Sequence, residues 1–243
     1  MPSLKDQANA LPQDEVTQRR LLRSLMNIRP PMPLKAEFLK VQDALLSEER
    51  DARGVVDINE LPERQGHPGI ILWQGDITRL KVDAIVDADN ERLLGCFAPL
   101  HACIDNAIHS AAGLQLRDEC NRIMEEQGHP EPTGSAKLTR GYNLPAEYVL
   151  HTVGPIISGE LTDNDCELLA SCYRSCLELA AENHFSSIAF CCISTGEFHF
   201  PNDEAARIAV RTVKEFLSTP TSVRKVVFNV FKDLDAQIYR NLL

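Results

Sequence analysis

The chain has 243 residues, 44% of them apolar and 25% charged, enough to bury a core and too apolar for a disordered tail. Its 25 Lys+Arg against 35 Asp+Glu give a formal charge of −10, which argues against general binding to a nucleic-acid backbone. No apolar run reaches the roughly 20 residues of a membrane span and no signal-peptide pattern opens the sequence, so the eight cysteines are expected to be intracellular, cytoplasmic thiols or metal ligands rather than a disulfide framework.

Leu21, Leu22, Leu25 and Met26 recur at helical spacing behind the helix-start pattern Pro12-Gln13-Asp14-Glu15. Arg29-Pro30-Pro31-Met32-Pro33 stops that helix, because proline removes donors and forces extended backbone. Phe38, Leu39, Val41, Leu45 and Leu46 predict a second helix ending at Gly54. Residues 1–68 are therefore expected to form a helical extension, and 69–243 the main domain. Within the latter, Gly69–Trp73, Ala84–Ala88, Tyr148–Val153, Ile188–Ile193 and Val226–Phe231 are predicted strands, with Ala136–Tyr142 a further candidate. Helices are predicted over 102–127, 163–184 and 202–218. This alternation predicts a three-layer α/β/α domain with a mixed central sheet.

Three segments carry candidate chemistry. Cys96, His101 and Cys103 put two thiols and an imidazole within eight residues, a donor set that suits Zn²⁺ and leaves one coordination position open. The same residues also fit a helix start with two core cysteines and a histidine. The strand running into Ser194-Thr195-Gly196-Glu197-Phe198, with a helix after Pro201, offers free backbone N–H groups for phosphate, or else an ordinary strand–helix loop. Asp76, in Gln74-Gly75-Asp76-Ile77, either accepts from an exocyclic amine such as that of adenine or caps a turn, and on its own the cap is the simpler reading.

In this order the segments resemble the macrodomain family. The resemblance is carried by Gly75-Asp76-Ile77, Val82–Val86 with Asn90, Asp105 with Ile108-His109, Ala112-Gly113, His151–Pro155 and Ile193–Phe198. Gly95-Cys96-Phe97-Ala98-Pro99-Leu100-His101-Ala102-Cys103-Ile104-Asp105-Asn106 is similar to the zinc-dependent protein-ADP-ribose hydrolase subfamily, as is the segment Arg29–Pro33. The resemblance implies one zinc on Cys96, His101 and Cys103, and hydrolysis of an N- or O-glycosyl bond between ADP-ribose and a protein side chain. It implies that Asp76 and Ile77 hold the adenine, and that Ser194, Thr195, Gly196, Glu197 and Phe198 wrap the diphosphate and distal ribose. Asn90 would position the distal ribose, and Asp105 would orient or deprotonate the nucleophile. The chain departs from the pattern at Asp87-Ala88-Asp89-Asn90-Glu91, where the subfamily has Asn-Ala-Ala-Asn-Ser, and at His199, where it has a glycine-type loop. A carboxylate about 8 Å from an anionic ligand costs on the order of 2 kcal/mol at an effective dielectric of 20. Asp87, Asp89, Glu91 and His199 therefore motivate the alternative of an ADP-ribose reader with little or no hydrolysis.

Overall fold

The structure, a computed structural model, describes Asp6 and residues 10–243, so the start of the 1–68 segment lies outside the described residues. Helix α1 (Glu15–Ile28) begins where the Asp14 carboxylate accepts from the Thr17 amide. After the proline segment comes α2 (Ala36–Arg53), ended by Gly54. Short strands β1 (Val56–Asp57), β2 (Glu63–Arg64) and β4 (Leu80–Lys81) surround β3 (His67–Gln74). These short strands carry too few residues for a period to show. Because β2 lies within 1–68 and pairs with β3, the sheet begins before the extension ends.

The remaining strands are β5 (Ala84–Asp89), β6 (Ala136–Arg140), β7 (Tyr148–Val153), β8 (Ser187–Phe190) and β9 (Lys225–Val230). The predicted strands at 136–142 and 188–193 thus stop early, at Arg140 and Phe190. The main sheet runs β2-β3-β9-β8-β5-β7-β6. Strands β3, β9, β8, β5 and β7 are parallel, with antiparallel β2 and β6 at the edges. Ile71, Ile85, Val149, Ile188 and Val227 are fully buried, as expected where helices cover both faces of a sheet. The mixed sheet and its helical layers agree with the predicted α/β/α architecture.

The single helix predicted over 102–127 is two, α3 (Ile104–Ala112) and α4 (Leu114–Gln127). Gly113 between them has φ of +101°, which only glycine adopts without strain. The freed Leu114 amide donates to the Gln42 side chain of α2. Buried apolar residues continue on both sides of this break, so periodicity alone could not place it. Helices α5 (Asp163–Glu182) and α6 (Asn202–Leu217) follow their predicted spans closely. A final helix, α7 (Asp233–Leu242), was not predicted; Ala236, Ile238 and Tyr239 form its buried face. Among the described residues, no helix is long and apolar enough to cross a membrane.

Helices α1 and α2 dock on α3 and α4 through polar contacts. Asn27 Nδ2 donates to Ser110 Oγ, and the Arg117 guanidinium donates to the carbonyls of Met26, Asn27 and Arg29. Asp43 Oδ1 accepts from Gln42, Gln115 and Asn143. The loops leaving the carboxyl ends of β3, β5 and β8 carry the residues singled out in the sequence, the position at which open α/β sheets bind ligands.

Candidate functional site

Between β5 and α3 the chain makes an irregular loop that brings Cys96, His101 and Cys103 together. Their donor atoms all lie within 4.8 Å of one another. Cys96 Sγ stands 3.6 Å from His101 Nδ1. A tetrahedral zinc site, with Zn–S of about 2.3 Å and Zn–N of about 2.0–2.1 Å, separates sulfur and nitrogen by about 3.5 Å. The donor set and this separation therefore fit zinc. Cys103 is the N-cap of α3 and its Sγ accepts from the Asn106 amide at 3.4 Å. Without a metal, burial pushes its thiol up to about 12, against the help of that amide. All eight cysteines are free thiols, and Cys172 and Cys176 are wholly buried core residues.

The loop is held from behind by residues that the sequence reading did not assign. Asn106 Nδ2 donates to the Cys96 and Ala98 carbonyls, while its Oδ1 accepts from Arg23 of α1 at 2.7 Å. Asn27 Oδ1 accepts from the Leu100 amide, and Arg117 Nε donates to the Leu94 carbonyl. Arg117 also lies 4.4 Å from the centre of the Phe97 ring, a cation–π contact. Helix α1 thus buttresses this loop together with α3 and α4. The only sequence sign of it was an asparagine inside a motif and an arginine on an amphipathic helix.

Asn90 and Asp105 come together beside this loop. Asn90 Nδ2 donates to Asp89 Oδ1 at 3.1 Å and approaches Asp105 Oδ2 at 3.5 Å. Asp105 sits in the first turn of α3; its Oδ1 accepts no hydrogen bond and lies 3.6 Å from His109 Nε2. Burial first, then the Asp89 and Asp87 carboxylates, raise its pKa well above the ordinary range.

After β8, the segment Ser194–Phe198 forms a tight loop. Phe200 donates its amide to the Ser194 carbonyl, His199 to that of Gly196, and Ile157 to that of Phe198. No hydrogen bond to the described protein uses the amides of Ser194, Gly196, Glu197 or Phe198, so these N–H groups are free for an anion. Gly154 permits the close approach of this loop, since a Cβ there would lie 2.0 Å from Ser194 Oγ. His199 has φ of +57°, a left-handed conformation more natural to the glycine of the related pattern. Glu197 Oε1 reaches to 3.6 Å from His101 Nε2, joining this loop to the thiolate loop and leaving Nδ1 towards Cys96.

Asp76 does what its bland reading predicted: Oδ1 accepts from the Thr78 amide and hydroxyl, capping the turn at Ile77–Arg79. Its second oxygen lies 3.4 Å from Arg53 Nη1 and is partly exposed, while the Ile77 side chain is buried. Asp87 and Asp89 differ from expectation. Both are buried (0% and 1% exposed) and face His109 and His151 rather than solvent at the strand ends. Alternation along β5 turns both inward, because residues two apart share a face. Glu91 is exposed.

The Macro domain family profile matches residues 86–209. A protein-ADP-ribose hydrolase of Treponema medium is 55% identical over 235 residues, covering 96% of this chain and 90% of the relative. One of Staphylococcus aureus strain MSSA476 is 52% identical over 221 residues, covering 90% of this chain and 82% of the relative. Among solved structures, a Trypanosoma brucei macrodomain in complex with ADP-ribose superposes with a TM-score of 0.70 at 33% identity, covering 90% of this chain and 94% of the other.

Proposed function

The chain belongs to the macro domain family, and from that premise we propose that it is a zinc-dependent hydrolase removing mono-ADP-ribose from modified protein side chains. The observation that carries this reading is the convergence of Cys96, His101 and Cys103 beside Asn90 and Asp105. Zinc on those three side chains would supply, when bound, a Lewis acid with one open position next to the distal ribose.

The protein's own groups do the rest. The free amides of Ser194, Gly196, Glu197 and Phe198 bind the diphosphate, which explains how a chain of charge −10 can hold an anion without a basic patch. Asp76 and the Ile77 backbone hold the adenine at the end of β3. The Asn90 amide, fixed by Asp89, orients the distal ribose. A cation on the neighbouring thiols would offset the burial that raises the Asp105 pKa; ionised in that way, Asp105 orients the attacking water and takes its proton, while Asn90 holds the other oxygen. Hydrolysis breaks the bond from the anomeric carbon to the side chain, and the proton is returned to the leaving group.

The purified chain is expected to release free ADP-ribose from a mono-ADP-ribosylated protein, to stop when its metal is removed by chelation, and to recover with added zinc. Full activity of the metal-free protein would contradict the proposal. The reader alternative keeps support from exposed Glu91 and from strained His199, but not from Asp87 and Asp89, which face inward. Calorimetric binding of ADP-ribose without turnover of any modified protein would favour it.

A further inference from the structure

A second set of side chains with metal-ligating chemistry lies within the fold, separate from the Cys96–Cys103 loop. Asp87 and Asp89 of β5, His151 of β7 and His109 of α3 direct their donor atoms to within 4.8 Å of one another. Asp87 stands opposite His151 in the parallel register of the two strands. His109 Nε2 lies 3.9 Å from Asp87 Oδ2, 3.8 Å from Asp89 Oδ2 and 3.6 Å from Oδ1 of Asp105, which borders the group on the side of the first site. His151 Nδ1 lies 4.0 Å and 3.3 Å from the same two oxygens. The four side chains are at most 3% exposed.

Their hydrogen bonding leaves the centre of this group unsatisfied. Neither Asp87 oxygen and neither His109 nitrogen has a partner, which buried polar atoms rarely tolerate. Among the described residues, no Lys or Arg pairs with either carboxylate, and Arg117 spends its donors on backbone carbonyls. His151 Nε2 lies 2.9 Å from Thr139 Oγ1, whose hydroxyl donates to the Val149 carbonyl. His151 Nδ1 is itself hydrogen-bonded to Asp89 Oδ2, and with Thr139 Oγ1 able to accept from Nε2 the imidazole can keep its proton there and give up Nδ1 to a cation. The other Asp89 oxygen already accepts from Asn90 N and Nδ2. Two carboxylates and two imidazoles thus surround one small volume.

From this geometry we propose that Asp87, Asp89, His109 and His151 hold a buried divalent transition-metal ion. The four carboxylate–imidazole distances of 3.3–4.0 Å are near the ligand–ligand spacing around Zn²⁺ and its first-row neighbours, whose N and O ligands stand at about 2.0–2.2 Å. Two imidazoles disfavour Ca²⁺ and Mg²⁺, which take oxygen ligands. A charge of +2 neutralises both carboxylates. Cys120 lies on the far, Nε2 side of His151, and burial holds its thiol well above the usual range, so it stays outside the set. The ion ties β5 and β7 to α3, and so fixes Asn90, which follows Asp89, and Asp105, one turn before His109. Being enclosed, it enters as the chain folds.

The test uses the full chain carrying Cys96→Ser and Cys103→Ser, which empties the thiolate loop. Folded with Zn²⁺ or Mn²⁺ supplied and then dialysed, it is expected to retain about one ion per chain in an all-nitrogen/oxygen environment by X-ray absorption. Adding Asp87→Asn and Asp89→Ala should abolish that retention while circular dichroism stays native. A folded thiolate-free protein that holds no ion, with an infrared protonated-carboxyl band that Asp87→Asn removes, overturns the proposal. Should the combined variant not fold, the unsubstituted protein decides: two ions per chain supports the second centre, and a single ion bound through sulfur rejects it.

Discussion

Asp105 is the residue on which the proposed chemistry turns. It is buried at a helix start, carries an unpartnered oxygen, and has Asn90 on the other. Asp105→Asn keeps the shape and removes the proton acceptor. Turnover should fall by roughly 10²–10⁴-fold while ADP-ribose affinity changes little, measured by product release and by calorimetry. A variant that keeps its turnover would remove Asp105 from the mechanism. At this scale the sequence was legible where chemistry and spacing coincide, as for Cys96, His101 and Cys103. It was misleading at Asp87 and Asp89, where the sequence supplied the carboxylates but the direction of two side chains on β5 decided what they meet.

At the scale of elements, the joint between α3 and α4 sets the course of α4, whose Arg117 donates to the Leu94 carbonyl before the Cys96 loop. Gly113→Ala would force a left-handed backbone on a residue with a Cβ, which would also lie 2.7 Å from Gln115 Oε1 and Gln42 Nε2. A loss of about 1–3 kcal/mol in denaturant unfolding is expected. An unchanged midpoint would show that the joint relaxes without cost. The apolar period running through 102–127 hid this break, since a helix stripe reads the same on either side of one glycine. The glycine itself was visible as part of a motif, yet only φ and the Gln42–Leu114 bond reveal its structural use. Strands of two residues and the α7 face escaped for the related reason that their pattern is short.

The whole molecule joins an N-terminal helical layer to the sheet domain, and Asp43 lies at that junction. Burial raises its pKa, but hydrogen bonds from Asn143, Gln115 and Gln42 outweigh it and leave the carboxyl below its ordinary value. A depressed folded-state pKa means that the stabilisation is present above the unfolded value, near 4, and is lost as pH falls through the folded one. Acid unfolding of the protein should therefore be less steep in Asp43→Asn than in the unsubstituted chain below about pH 4. Equal slopes would mean that Asp43 does not contribute to docking. The layered α/β/α plan followed from alternating strands and helices, whereas the polar clamp of Arg23, Asn27, Gln42 and Arg117 depends on contacts between distant segments that no local pattern encodes.

A crystal of the protein with ADP-ribose, measured on both sides of the zinc absorption edge, tests the main proposal most directly. The account predicts an anomalous peak ligated by Cys96, His101 and Cys103, its open side towards the distal ribose, with the diphosphate on the amides around Gly196. Density for ADP-ribose over a metal-free pair of thiols would contradict it.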